Sequence, residues 1–185
     1  MLIQRAFWFL RHGETDWNAQ GLSQGNVDIP LNETGRAQAV AAAAMLRNRG
    51  IASVVSSPLS RAHDTALAVT ALTGHDITLD EGLREVSFGA QEGQPMTEWF
   101  ADWVAGTYTP DDAEPFMALR ARAVAAVNRA LSQPAPVLVV AHGALFRALR
   151  AEMGLEANVR TPNAMPFFCR PGAPWELVPA SEIKA

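Results

Sequence analysis

Two stretches, Arg11-His12-Gly13-Glu14-Thr15 and Val140-Ala141-His142-Gly143, place a histidine directly after a run of apolar, strand-forming residues. A third, Ser57-Pro58-Leu59-Ser60-Arg61, follows another such run and adds a guanidinium. In open α/β sheets ligands sit beyond the carboxyl ends of the strands, so all three segments can converge on one sheet edge. A lone histidine after a strand is an ordinary structural residue. Two imidazoles converging with Arg11 and Arg61 make a site. Gly143 would let the backbone approach a ligand closely, and the helix expected after it offers unpaired N–H groups and a positive dipole end. That set suits an anion held beside a reactive imidazole.

Positioning these residues takes a sheet with helical cover. Strand-like runs at Ala6–Leu10, Ser53–Ser56 and Pro136–Ala141 alternate with longer helical patterns, which argues a mostly parallel sheet covered by helices, an α/β chain. The first helix is expected from Glu33 to Arg49, capped by Asn32, stopped by Gly50, with Ala37, Val40, Ala41, Ala44 and Met45 facing the core. Ser57 should cap a second helix, with Pro58 at its first position, running to about Leu72. A third, Pro115 to Leu131, puts Phe116, Leu119, Ala123, Val127 and Ala130 inward and Arg120, Arg122 and Arg129 outward. A fourth begins after His142-Gly143. Two late strands are expected near Pro166–Arg170 and Trp175–Val178, their order in the sheet unreadable. Between Phe88 and Glu114, Gly89, Gly93, Pro95, Gly106 and Pro110 mark an excursion of loops with one short helix rather than a second domain.

At 185 residues, 49% hydrophobic, with a mean hydropathy of +0.02, the chain is expected to fold as one globular domain, residues 1–185. The net charge of −4 and the lack of a Lys/Arg run argue against nucleic acid as a partner. Lys184 is the only lysine among fifteen basic residues, so a cationic site here is built from arginine, whose planar fork fits phosphate bidentately. The lone Cys169 allows no intrachain disulfide and is read as a packed core residue. Met1 to Leu10 is too short and wrongly flanked for a signal peptide or membrane anchor, so no membrane partner is expected and the location is read as cytoplasmic. Whether two copies form a homodimer is not determined by the sequence.

Arg11-His12-Gly13-Glu14-Thr15-Asp16-Trp17-Asn18 is the first of five segments that carry a resemblance. The others are Asp28-Ile29-Pro30-Leu31 leading to Gly35, Ser57-Pro58 to Ala66, Leu83-Arg84-Glu85-Val86-Ser87-Phe88-Gly89 with Glu92-Gly93, and Val139 to Gly143. In this order they resemble the histidine phosphatase superfamily, in its phosphoglycerate mutase-like branch, over most of the chain. The resemblance implies a three-layer sandwich with helices on both faces of the sheet. It implies hydrolysis of a small phosphorylated metabolite without metal or cofactor. His12 would become phosphohistidine, Arg11, Arg61 and His142 would bind and stabilise the phosphoryl group, and Glu85 would be the proton donor. Asn18 would help bind phosphate, and Gln24-Gly25 falls where family members touch substrate. Leu22 departs from the arginine common there.

The chemistry asks for such a set. Attack by imidazole followed by hydrolysis replaces one hard step by two easier ones, and phosphate monoesters need up to ~10²¹-fold acceleration. An alkoxide leaves poorly unless protonated, so a carboxyl must give a proton and then take one from water. With neutral His12 and protonated Glu85 both required, a bell-shaped pH profile is expected. The alternative is cofactor-dependent phosphoglycerate mutase-type transfer. Mutases of the family carry Lys and paired Arg in a longer segment after the acid, whereas here that segment is short and lacks Lys, which favours hydrolysis. A metal-dependent phosphatase would want His-x-His or Asp-rich spacing, which is missing from the sequence. A non-catalytic phosphate-binding module would not need every catalytic position filled.

Other residues have plainer readings. His63 and His75 are expected in solvent. Met96, Trp99, Phe100 and Trp103 have helical spacing and read as core, with a pocket-lining lid as the alternative. Glu14 should orient Arg11 or the turn, and Glu114 should favour a helix start.

Overall fold

The computed structural model describes residues 1–183. Its sheet has six strands in the order β3-β2-β4-β1-β5-β6: β1 Phe7–Arg11, β2 Ser53–Ser56, β3 Ile77–Leu79, β4 Val137–Ala141, β5 Pro166–Arg170 and β6 Glu176–Pro179. The first four in that order run parallel, while β5 turns back against β1 and β6 against β5. Register aligns Arg11 with Ala141 and Ser56 with Val140, so the neighbouring strands β2, β4 and β1 end together. Backbone bonds from His12 to Ala141 and from Ser57 to Val140, both 3.0 Å, carry the ladder one residue further.

The central strands β1 and β4 are apolar almost throughout, without alternation, because both faces are covered. Phe7, Phe9, Val137 and Val139 pack with α4 (Trp99–Ala105), α5 (Phe116–Ala130) and α6 (Gly143–Glu152), while Trp8, Leu10, Leu138 and Val140 pack with α2 (Glu33–Leu46) and α3 (Ser60–Thr73). This is the three-layer α/β sandwich expected. Phe9 and Phe146 stack with centroids 3.9 Å apart, which fixes α6 against β1 just below their chemistry-bearing ends. Cys169 is buried in the same layer, and burial pushes its thiol well up. Among the described residues no helix is long and apolar enough to cross a membrane.

The structure corrects several local expectations. Helix α2 buries Gly35, Ala39, Ala42, Ala43 and Leu46, leaving Ala37, Val40, Ala41 and Ala44 exposed and Met45 half-buried. A run of alanines is apolar nearly all round, so its periodicity does not say which face turns inward. Ser57 does not cap α3: the helix starts at Ser60, whose N–H and hydroxyl both reach Asp28 Oδ1 at 2.8 Å. Arg120 and Arg122 are half-buried rather than turned outward, paired with Glu152 and Glu114; Arg129 is exposed and pairs with Asp80. The three-residue β3 and the five-residue helix α1 (Asp16–Gln20) were too short to show a period. The 88–114 stretch holds a 3-10 turn and α4, with Trp99, Phe100 and Trp103 packed edge-on around Phe88.

Candidate active site

His12 leaves β1 into a buried loop, and its Nδ1 lies 2.7 Å from the Gly13 carbonyl. A carbonyl only accepts, so Nδ1 carries the proton and Nε2 keeps the bare lone pair. Burial first, then the charges of Arg61 and Arg11, push the ring well below the usual imidazole value, against the pull of the Gly13 bond. The ring is therefore neutral at physiological pH. Its loop is held from both sides. Gly13 N–H donates to Thr65 Oγ1 at 3.0 Å, and that hydroxyl donates to the Arg61 carbonyl at 2.7 Å. Asn163 Nδ2 donates to the His12 carbonyl at 3.0 Å and to Asn18 Oδ1 at 3.1 Å. A Cβ on Gly13 would come within 2.3 Å of the Gly35 carbonyl oxygen, and one on Gly35 within 2.0 Å of that of Glu14. Only bare backbone lets the start of α2 close on this loop.

His142 follows β4, with ring centroids 5.2 Å from His12. Its Nε2 meets Ser57 Oγ at 2.7 Å, and its buried Nδ1 has no partner among the described residues. Burial, then Arg61, His12 and Arg11, hold it well below the usual value. Ser57, expected as a helix cap, thus orients an imidazole instead. Ser57→Ala is expected to cost up to about tenfold in kcat, the worth of one hydrogen bond, and to lower the urea midpoint, because the buried His142 Nε2 left unpaired costs about 1–3 kcal/mol; kinetics and unfolding of the variant check it.

Arg11 ends β1 and donates to the Thr161 carbonyl; Arg61, in the first turn of α3, donates to the carbonyls of Val27 and Gly25 at 2.8 Å. Each keeps a buried Nε with no partner among the described residues. Burial lowers both to about 10 against the pull of Glu85, so both stay charged. Gln24 accepts from Thr15 Oγ1 at 2.6 Å through Oε1, leaving its amide donors for the cavity. Gly25, at φ +53°, has no room for a Cβ, which would lie 2.2 Å from Glu92 Oε1. Glu92 in turn accepts from the N–H groups of Asn26 and Phe88.

Glu85 accepts from Ala144 N–H on Oε2 at 2.9 Å, and from Leu145 and Val86 N–H on Oε1 at 2.9 and 3.1 Å. This corrects the expectation that the start of α6 offers free N–H groups to an anion: the carboxylate occupies two of them. Gly143 instead lies against Arg11, where a Cβ would sit 3.2 Å from Nε. Oε2, with one bond, is the oxygen with room for a proton. Arg122 pairs with Glu114 and donates to the carbonyls of Gly82 and Arg84, fixing the segment that delivers Glu85.

Together these residues line a cavity of about 50 Å³ that includes Arg11, His12, Asn18, Gln24, Gly25, Arg61, Glu85 and Gly143. His142 does not line this cavity itself; its fully buried ring lies behind that of His12 at the 5.2 Å centroid separation. Arg147, Phe88, Phe100 and Met96 complete the wall and were not assigned to the site from the sequence, apart from the lid alternative for the last two. Arg147 follows Gly143 by four residues, so helical spacing alone could have found it; Thr65 lies within the Ser57 to Ala66 segment that carries the resemblance, whereas nothing near Asn163 signals its part. Three guanidiniums against one carboxylate leave the lining two positive charges in excess, which matches a phosphate dianion. Glu14 touches the turn through Asn32 Nδ2 at 3.0 Å. His63 and His75 are half-buried, away from the cavity.

Known proteins share this arrangement's fold and sequence. The 36% identity to glucosyl-3-phosphoglycerate phosphatase of Mycobacterium tuberculosis (strain H37Rv) extends over 167 residues, 80% of this chain and 75% of that one. A probable phosphoglycerate mutase of Yersinia pestis (strain Pestoides F) is 36% identical over 163 residues, 82% and 76% of the two chains. The solved structure of mycobacterial glucosyl-3-phosphoglycerate phosphatase in complex with VO3 superposes with a TM-score of 0.81 at 33% identity, covering 95% and 98%. The sequence model of the histidine phosphatase superfamily (branch 1) matches residues 7–166, and the chain belongs to that superfamily.

Proposed function

We infer that the protein hydrolyses small phosphate monoesters through a phosphohistidine on His12. The observation that carries this is the hydrogen bond at Nδ1: the Gly13 carbonyl accepts from Nδ1–H, which leaves the Nε2 lone pair free on a ring that lines a cavity walled by cationic Arg11 and Arg61. Attack by Nε2 on phosphorus forms the N–P bond as the ester P–O bond breaks. Glu85 passes its proton to the departing alkoxide. Water then attacks phosphorus, gives its proton to Glu85, and the N–P bond breaks to return the imidazole. Arg11, Arg61 and His142 meet the charge on the equatorial oxygens, with Asn18, Gln24, Gly25 and Gly143 shaping the same anion cradle. The phosphatase among the relatives described above supports the reaction class. We place the enzyme in the cytoplasm on its composition, and every residue of this site comes from one chain.

A panel of small phosphorylated metabolites, with EDTA present, tests the reading. One inorganic phosphate per alcohol is expected. Isomerised product with bisphosphoglycerate and no phosphate release, or activity abolished by the chelator, would count against it.

The two buried imidazoles also set a pH dependence of stability. Both are lowered in the fold from the ordinary 6.5, so below about that pH the unfolded chain binds more protons than the folded one. Stability is full above that pH and lost as pH falls toward the lowered values, by up to about 1.4 kcal/mol per pH unit for each ring. Urea midpoints between pH 8 and 5 are expected to fall on the acid side, and a flat profile would contradict the burial of neutral rings.

A further inference from the structure

A second pocket of about 160 Å³ adjoins the His12 cavity. The two share Arg11, Asn18, Leu22, Met96 and Arg147, and the second adds Gly21 and Arg160. Among the described residues no carboxylate lines it. Arg84, Arg120, Arg122, Arg129 and Arg170 each meet a carboxylate; Arg147 and Arg160 form no ion pair among the described residues. Arg147 is half-buried, its guanidinium 4.8 Å from the Phe100 ring centroid and its Nε without a hydrogen-bond partner. Packing against an aromatic face fixes the fork in place without using its donors. Arg160 is exposed and lines the same pocket. The cations also repel one another: burial lowers Arg147 from its ordinary value, Glu85 opposes this, and Arg160 lowers it further. Like charges sharing a pocket whose own described lining holds no carboxylate are relieved by an anion.

We propose that Arg147 and Arg160 hold a second anionic group of the substrate, so that the enzyme prefers phosphate monoesters carrying a carboxylate or a further phosphate a few bonds from the scissile phosphorus. The proposal rests on the phosphatase reading and adds its substrate class. Leu22 and Met96 line both pockets and suit the short carbon linker between the two anions. Arg11 borders both as well, so the two anions would share one guanidinium, which limits the distance between them.

Two pairs test it by kcat/KM: phosphoglycolate against the size-matched 2-hydroxyethyl phosphate, and propane-1,3-diol bisphosphate against propyl phosphate, which lacks the second phosphate. The wild type is expected to favour the anionic member of at least one pair by tenfold or more. Preference in the first pair identifies a carboxylate, in the second a phosphate, and either supports the subsite. Arg147→Met, which keeps the packing on Phe100, should cut the preference roughly tenfold. Exposed Arg160→Gln cannot harm a core and should cut it roughly threefold, an effect that shrinks in high salt. Turnover of all four esters without preference, or a preference that neither substitution lowers, overturns the subsite and leaves the phosphatase standing. Failure to hydrolyse any of them, or p-nitrophenyl phosphate, overturns both.

Discussion

His12→Asn is expected to cost at least about 10⁴-fold in kcat/KM for any phosphate monoester the enzyme accepts. Asparagine can keep a donor near the Gly13 carbonyl and fills part of the ring's space, so the loop held by Thr65 and Asn163 should persist. What disappears is the lone pair on Nε2. Water attacking directly would still meet Arg11 and Arg61, so a small residual rate is compatible with the mechanism, in the way that charge stabilisation alone leaves measurable catalysis when a nucleophile is removed. Binding of inorganic phosphate by the variant, followed by calorimetry, separates a lost nucleophile from a lost fold. Activity above a hundredth of wild type would mean that phosphorus is not attacked by this ring.

For Glu85→Gln the expected result depends on the leaving group. Alkyl phosphates, whose alkoxide must be protonated, should slow by about 10² to 10⁴. Nitrophenolate needs no proton to depart, so with p-nitrophenyl phosphate the first step should survive. The second step, in which water needs a base, should stall, giving a burst of about one equivalent of nitrophenol per enzyme followed by slow turnover. The amide also offers one acceptor oxygen where the carboxylate serves Ala144, Leu145 and Val86. An N–H left unpaired at the start of α6 costs about 1–3 kcal/mol, which unfolding curves measure separately from the burst. Equal losses on both ester classes, with no burst, would show that Glu85 holds the helix start and moves no proton.

The sequence revealed β1, β2 and β4 and their chemistry-bearing ends because these three parallel strands are buried throughout and read as largely apolar runs. β1, β2 and β4 deliver His12, Ser57 and His142 in register at one edge. Less visible was anything decided by tertiary contact. The alanines of α2 carry no directional signal, and the buried face turned out to be that of Ala39, Ala42 and Ala43. Ser57 sits where a helix cap would, but Asp28 from a distant loop supplies that acceptor, which leaves the hydroxyl for His142. Gly143 reads as an opening for an anion, yet Glu85, distant in sequence, already occupies the amides behind it. Arg122 belongs to a helix face that looks polar from its spacing; only the fold shows it clamping the carbonyls before Glu85. Local patterns located the site, and long-range hydrogen bonds decided what each side chain does in it.

Rapid quenching with a ³²P-labelled phosphate monoester tests the central claim most directly. The account predicts a label on the protein that is lost in acid, survives alkali and maps to the peptide containing His12. Steady turnover with no such label at any quench time, or a label on another residue, would contradict it.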